Sequence, residues 1–363
     1  MKILIDICHP AHVHLFKNLY YELKNKSHEI LVTVRDISLA VELLRSYNIP
    51  HIIIGEKSDT IKRKILKQVL FDIKLKSIVK KFNIDLTVGS SITLAHVSKL
   101  TGVPSIWFDD DDDEVEPLVT KYGHPFTSVL ISPDVLKNKR RRSDTIYYAG
   151  YHELAYLHPK RFQPDVEILK GAKLKKDEKY FILRFNSFKA HHDINAQGIS
   201  IENKKKLINL LLKYGKVFVT TEREIEPEFE QYRITIPPHK IHSFIAFSSM
   251  LIGDSQTMTS EAAVLGVPSI RCNSFVNRIS YLEEQQNKYR LTYGFTPEQS
   301  NEMFLKIEEI LSISNLSEAW AIKRNKLLED KIDVTSFMVW FVENYPESKT
   351  IIKADPDYQF NFR

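Results

Sequence analysis

Cysteine is nearly absent from this chain: Cys8 and Cys272 are the whole supply. Two cysteines so far apart build neither a disulfide framework nor a metal-ligand spacing, so a reducing cytosol is the expected compartment. Long apolar runs are missing too; none approaches the roughly 20 residues of a membrane span. The opening MKILIDICHP carries one lysine and turns polar by Asp6, so it reads as a core strand and not as a signal peptide. An excess of one charge is also lacking. The 51 Lys and Arg against 46 Asp and Glu leave only +5, evenly spread, which argues against a nucleic-acid partner. Glycine is scarce at 11 residues, and the turn after the first strand has no G-x-G-x-x-G fingerprint, so a nicotinamide or flavin cofactor is not expected.

What is present is a regular alternation of strand and helix patterns. A length of 363 residues with 43% hydrophobic content suits about two domains, each with its own core. In the first half, strands read at 2–7, 29–34, 51–54, 86–89, 105–108 and 128–132, with helices at 12–26, 38–47, 61–82 and 93–101 between them. Such spacing predicts βαβ units and a parallel sheet covered on both faces. Residues 132–179 read as irregular, with the basic cluster Lys137 to Arg142 (KNKRRR) as a solvated linker or, alternatively, a contact for an anionic membrane or substrate. The alternation then resumes: strands at 180–185, 216–220, 234–236 and 250–252, helices at 203–214 and 241–247, and helical segments from 297 to 344. The fold class is therefore α/β, two Rossmann-like doubly wound domains facing a cleft. The domains are placed at 1–150 and 151–345, the last helix able to pack back on the first domain, with a tail at 346–363.

Strand carboxyl ends are where such sheets bind ligands, so the residues there are the candidates. After the first strand comes Asp6-Ile7-Cys8-His9-Pro10-Ala11-His12-Val13-His14. His12 is the candidate general base on a sugar hydroxyl, whereas His14 reads as packing beside Phe16. Asp109 to Glu114 follows the strand ending at Phe108, and Asp109 and Glu114 are its candidate acid or base residues. The rest of the tract reads as solvated, because six adjacent carboxylates repel one another. Arg184, closing the strand in LRFNSFKAHHD, suits a phosphate, and His191 and His192 in the same loop are further catalytic candidates. Thr220 ends another strand at the same edge. Pro238 belongs to a rigid turn whose backbone can receive a flat base. In LIGDSQTMTSEAAVLGVPSIRCNSF a strand, a polar turn and a helix follow one another, with Ser255 and Thr257 at the helix start, where unpaired N–H groups favour a phosphate. Glu261 lies inside that helix, positioned to grip ribose hydroxyls. The helix 61–82 carries Ile65, Leu66, Val69, Leu70 and Ile73 on one side; core packing is expected for that face, with peripheral membrane contact as the alternative.

With these pieces in place, the chain resembles the two-domain nucleotide-sugar superfamily with the glycosyltransferase B fold. GDSQTMTSEAAVLGVPSI is similar to the diphosphate and ribose segment of the UDP-N-acetylglucosamine 2-epimerases, with Asp254, Ser255, Glu261, Leu265, Gly266 and Pro268 at matching positions. Gln256 and Thr257 replace that family's glycine pair, and Ser260 replaces its first glutamate. Pro10-Ala11-His12-Val13 looks like the Gly-Gly-His turn of the N-acetylglucosaminyltransferase that makes the peptidoglycan lipid precursor, again without the glycines. Over its length, through DICHPAHVHLFK, GYHELAYLHP, LRFNSFKAHHD and ISIENK, the chain looks like an uncharacterised prokaryotic family of this superfamily, often linked to surface polysaccharide genes. The resemblance implies a UDP-sugar or other nucleotide-sugar as substrate, with Ser255 near the phosphates and Glu261 on ribose. It implies a glycosyltransferase acting on a glycan or lipid-linked acceptor, or alternatively a UDP-N-acetylhexosamine 2-epimerase, or a non-catalytic sugar-nucleotide binder. No metal is expected.

Overall fold

The computed structural model describes residues 1–56, 61–175, 177–185, 198–221 and 224–363, with the backbone alone for 61–65. Two compact units emerge. The first comprises Met1–Arg161 with Lys331–Arg363, the second Phe162–Asp330. The divisions therefore fall at 161/162 and 330/331, not at 150/151 and 345/346.

The first unit opens with β1 (Lys2–Ile7), α1 (Pro10–Asn25), β2 (Glu29–Asp36), α2 (Ser38–Ser46), β3 (Ile52–Glu56) and α3 (Ile61–Lys81). It continues through β4 (Leu86–Gly89), α4 (Ile92–Thr101), β5 (Ser105–Phe108), α5 (Pro117–Tyr122), β6 (Val129–Pro133), β7 (Ile146–Tyr148) and α6 (Leu154–Leu157). Its seven strands lie in the order β3-β2-β1-β4-β5-β6-β7, all parallel. β7 falls inside the stretch that the sequence reading leaves irregular, because three residues between a basic run and Gly150 show too little periodicity to register.

The second unit holds α7 (Glu167–Gly171), β8 (Tyr180–Arg184), α8 (Ile201–Leu211), β9 (Lys216–Thr220), α9 (Ile241–Ala246), β10 (Met250–Gly253) and α10 (Gln256–Leu265). It closes with β11 (Ser269–Cys272), α11 (Ser280–Asn287), β12 (Thr292–Phe295), α12 (Ser300–Leu311) and α13 (Leu316–Asp330). Five parallel strands order as β12-β11-β10-β8-β9. The expected strand at 234–236 is absent: only an isolated bridge joins Val219 to Arg233, and the polar, proline-ended segment ITIPP offers no second face to bury.

The chain then returns to the first unit as α14 (Val334–Glu343) and α15 (Glu347–Ala354). The expected tail is thus a helix followed by a 3-10 turn at Pro356–Phe362. Asp333 caps α14 by accepting from Ser336 N–H and also pairs with Arg161 at 2.7 Å, so the points where the chain leaves and re-enters this unit are tied together. Ile332 N–H donates to the Ala149 carbonyl, and Ala149 N–H to Gln359 Oε1, which fixes the returning segment beside β7.

Hydrophobic runs in the strands supply both cores. Ile3, Leu4, Ile5 and Ile7 of β1 and Met250, Leu251 and Ile252 of β10 are essentially excluded from solvent. On α3 the buried positions are Leu75 and Val79, packed with Leu4, Ile84 and Val97. The face bearing Leu66, Val69, Leu70 and Ile73 points outward instead, contrary to the packing expected from sequence. Both faces of α3 repeat apolar residues at helical spacing, so periodicity could not choose between them. Leu75→Ala should cost about 2–5 kcal/mol in urea unfolding, whereas Leu66→Ala should stay within about 0.5 kcal/mol of the parent.

Candidate functional sites at two strand edges

In each sheet the strand order reverses at one place, and there the neighbouring crossovers leave a crevice at the strand carboxyl ends. In the second unit this lies between β8 and β10, where Gly253 pairs with Arg184. The two backbones come so close that a Cβ on Gly253 would lie 2.2 Å from the Arg184 carbonyl oxygen. Asp254 N–H donates to that same carbonyl at 3.2 Å. The chain then turns into α10 at Ser255, whose extended backbone and side chain cap the helix by accepting from Met258 N–H. Thr259 Oγ1 donates to the Ser255 carbonyl at 2.6 Å. Thr257, in the first turn of α10, is half-buried. Gly266 ends the helix in the left-handed conformation with φ 78°.

Arg184 and Ser255 are thus brought to one edge, and Thr220, at the carboxyl end of β9 beside β8, pairs with Arg184. Pro238 starts the short 3-10 turn into α9 and is half-buried. Glu261 is 4% exposed, and its Oε1 lies 2.9 Å from Nε2 of the equally buried His242 of α9. One carboxylate oxygen is therefore engaged within the unit. His191 and His192 lie outside the described residues.

Two residues that the sequence reading does not select also meet here. Asn273, fully buried after β11, donates from Nδ2 to the Asp254 carbonyl at 2.9 Å and accepts from Phe275 N–H, which braces the turn. Arg271 on β11 pairs with Gly253 from the other side. It is 2% exposed, burial pulls its pKa down, and only its Nη2 has a partner, Glu283 at 3.4 Å, while Nε and Nη1 are buried without one. A charged residue in a strand otherwise built of small and apolar groups was the signal available. Beside it, burial foremost pushes the Cys272 thiol up to about 12, which keeps it protonated and inert.

In the first unit the reversal lies between β1 and β4, where Asp6 pairs with Gly89. A Cβ on Gly89 would sit 2.8 Å from the Asp6 carbonyl oxygen. The Asp6 carboxylate is buried and accepts from Thr33 Oγ1 at 2.7 Å and Ser91 Oγ at 2.5 Å, so it joins β1 to β2 and to the start of α4. His9 caps α1 by accepting from Ala11 N–H. His12, half-buried, has Nδ1 3.5 Å from Cys8 Sγ, which donates to the Ser90 carbonyl across the crevice. His14 is buried, stacked on Tyr156 and within hydrogen-bond reach of Tyr47 OH.

Two strands along, Asp109 is not poised as a free acid. It is 6% exposed, with Oδ2 2.8 Å from His124 Nε2 and 2.9 Å from Arg140 Nη2. Arg140 also donates to Asp113 Oδ1 and to Ser132 Oγ, and Lys139 pairs with Asp112. Within the KNKRRR cluster Lys137, Lys139 and Arg141 are exposed as a solvated linker would be, but the Arg140 side chain is drawn into the core. β5 and β6 run parallel side by side, so the loops that follow them meet at one edge, and opposite charge runs neutralise each other. Burial would raise the Asp109 pKa, but Arg140 and His124 outweigh it and hold it below the ordinary range. Arg140 is correspondingly raised, burial notwithstanding, by Asp109 and Asp113.

Asp110 pairs with His152 Nδ1 at 3.0 Å, and Asp111 reaches solvent. Asp109, Asp110 and Asp111 each bring an oxygen within 4.8 Å of one another. The chain's own Arg140, His124 and His152 already face that charge, so the tract is no ready-made cation cage. Glu114 is exposed, with no resolved place in this network. GYHELAYLHP, quoted above for the resemblance, is mainly a brace: the Ala155 carbonyl accepts from Asn18 of α1 and Thr335 of α14.

Removing one side of a buried pair strands the other, so Arg140→Ala should cost about 3–5 kcal/mol in urea unfolding. The folded Asp109 pKa lies below its unfolded value, so the stability that this carboxylate contributes is complete above about pH 4 and drains as the pH falls through the folded value. The loss of unfolding midpoint between pH 6 and pH 3 should shrink in Asp109→Asn; an unchanged profile would contradict the assignment.

The whole chain can now be set against known proteins. The structure of the UDP-GlcNAc 2-epimerase from Neisseria meningitidis bound to UDP-GlcNAc superposes with TM-score 0.67 over 94% of this chain and 99% of that one, at 13% identity. The spinosyn forosaminyltransferase SpnP gives TM-score 0.65 over 96% of this chain and 99% of that one, also at 13% identity. These likenesses establish the fold: two parallel-sheet Rossmann-like domains of the glycosyltransferase B type. An uncharacterised protein of Methanocaldococcus jannaschii is 24% identical over 286 residues, spanning 75% of this chain and 82% of the relative. Residues 1–292 match the protein family of unknown function DUF354, and the chain belongs to that family.

Proposed function

We propose that this protein is a nucleotide-sugar-dependent glycosyltransferase, moving a sugar from a nucleoside diphosphate donor to the hydroxyl of a glycan or lipid-linked acceptor in surface polysaccharide or glycoconjugate synthesis. The observation that carries the reading is the second unit's strand edge, where Arg184 and the start of α10 share the crevice beside Gly253. As the glycosidic bond of the donor breaks, negative charge grows on the departing diphosphate. Fixed N–H dipoles and a guanidinium stabilise that charge without reorganising. Ser255 and Thr257 supply hydroxyls at the helix start, the Glu261 carboxylate is assigned to the ribose hydroxyls, and the Pro238 turn offers backbone to a base.

On the acceptor side, His12 is the general base. It is half-buried beside Cys8 at the first unit's reversal point, an imidazole able to take a proton from an acceptor hydroxyl. Asp109, held by Arg140 and His124, serves as a scaffold; Glu114 keeps an exposed carboxylate for acceptor contact. The likeness to an epimerase bound to UDP-GlcNAc favours a second reading, inversion at C2 of a UDP-N-acetylhexosamine without an acceptor.

Incubation with UDP-sugars and dTDP-sugars, following nucleotide release and sugar configuration, separates the two. Acceptor-dependent nucleotide release with no epimer supports transfer; an epimer formed without acceptor overturns it. Loss of Arg184, as Arg184→Ala, should weaken nucleotide binding by about 10- to 100-fold, the worth of a charge-assisted hydrogen bond. Glu261→Gln, which keeps an acceptor for His242, should lower affinity with little change in melting temperature. Glu261→Ala should also lower stability, by about 1–3 kcal/mol, because a buried hydrogen bond to His242 is lost. Unchanged calorimetric affinity in both Arg184→Ala and Glu261→Gln would remove the premise of either reaction.

A further inference from the structure

The outward face of α3 does not behave like the rest of the surface. Leu66, Val69, Leu70 and Ile73 are 67%, 52%, 57% and 59% exposed, and their spacing puts them on one continuous stripe of the helix. Scattered exposed leucines need no explanation, but four large apolar side chains in a row along two turns do. The same helix carries eight lysines and arginines against one acid, Asp72. That acid is turned away from the stripe: its carboxylate binds His96 of α4 at 2.8 Å and Gln68 at 2.7 Å. Lys74 is exposed next to Leu70 and Ile73, and Lys80 and Lys81 extend the positive charge past the stripe.

The neighbouring helices repeat the arrangement. His96 also reaches the Tyr122 carbonyl at 2.9 Å, so α3, α4 and the end of α5 are held side by side. On α5, Leu118 is 66% and Tyr122 48% exposed, and Lys121 sits over the Tyr122 ring. Glu56 reaches Lys67 at 3.9 Å, so one acid meets the rim, but the excess of lysine among the exposed apolar side chains matches the boundary between the headgroups and acyl chains of an anionic bilayer.

We propose that the outer face of α3, continued by α5, is a membrane-docking surface, with Leu66, Val69, Leu70 and Ile73 entering the interface and the flanking lysines binding anionic headgroups. No described helix is long and apolar enough to cross a membrane, so the attachment is peripheral and reversible. This assignment stands apart from the chemistry proposed above, since vesicle binding is read without any substrate.

The test is flotation of the full chain with vesicles of phosphatidylcholine alone or mixed with phosphatidylglycerol. Retention on the mixed vesicles only, falling as salt rises, supports the proposal. The double variant Leu66→Ser, Leu70→Ser should lose retention at least tenfold. Lys74→Glu should lose more than the roughly fivefold that one interfacial lysine contributes, because it also adds repulsion. All three sites are exposed, so melting temperatures should match the parent. The proposal is overturned if the parent stays unbound with both vesicle types, or if the double variant floats as well as the parent. It is equally overturned if the parent is a dimer on size exclusion that the double variant converts to monomer without losing vesicle retention.

Discussion

Two backbones that nearly touch set the terms for both candidate sites. Where each sheet reverses, the last residue of one strand is a glycine, and the neighbouring strand's carbonyl occupies the space of its missing Cβ. The approach draws the following loops into the crevice: Ser90 and Ser91 against Cys8 and Asp6 in the first unit, Asp254 and Ser255 against Arg184 in the second. A side chain at Gly253 would push β8 and β10 apart and tilt the start of α10 away from Arg184. The start of α10 and Arg184 lie at one strand edge because that glycine lets the two backbones approach.

Charge is organised by the same strand edges. The run of aspartates after β5 and the run of basic residues after β6 look, in one dimension, like two unrelated solvated patches. Parallel neighbours place both loops on one side of the sheet, and the Arg140 side chain ends up 1% exposed between Asp109 and Asp113. This exchange engages Asp109 with Arg140 and His124, in contrast to the exposed Glu114 at the other end of the tract. It also shows what a chain reading can extract from topology alone, since strand order predicts which loops meet.

Much of the fold was legible because it depends on alternation, and alternation survives in a single sequence. The runs 2–7, 86–89 and 250–253 are too apolar and too regularly spaced to be anything but buried parallel strands. What failed to show was whatever depends on choosing between equal patterns. α3 has apolar residues on two faces, and only the positions of Leu4, Ile84 and Val97 decide that Leu75 and Val79 go inward. β7 is too short to have a period. Glu261 was legible as a helix residue near the phosphate end, yet His242, its partner, sits 19 positions upstream in a segment that reads as ordinary packing. The buried Arg271 lay in plain view within a quoted motif, and its importance rests on unsatisfied donors that no sequence displays.

The terminal segment has a consequence for how the molecule is made. Residues 331–363 complete the first unit, with α14 lying along α1 and α6 and Asp333 tied to Arg161. The second unit is therefore a closed excursion between two residues that are fastened to each other. As the chain emerges during synthesis, the excursion has all of its parts before the host does. Residues 1–161 wait with the surfaces of α1 and α6 uncovered until residues 331–363 have been made. For this topology the usual order of vectorial folding, first made and first finished, is reversed.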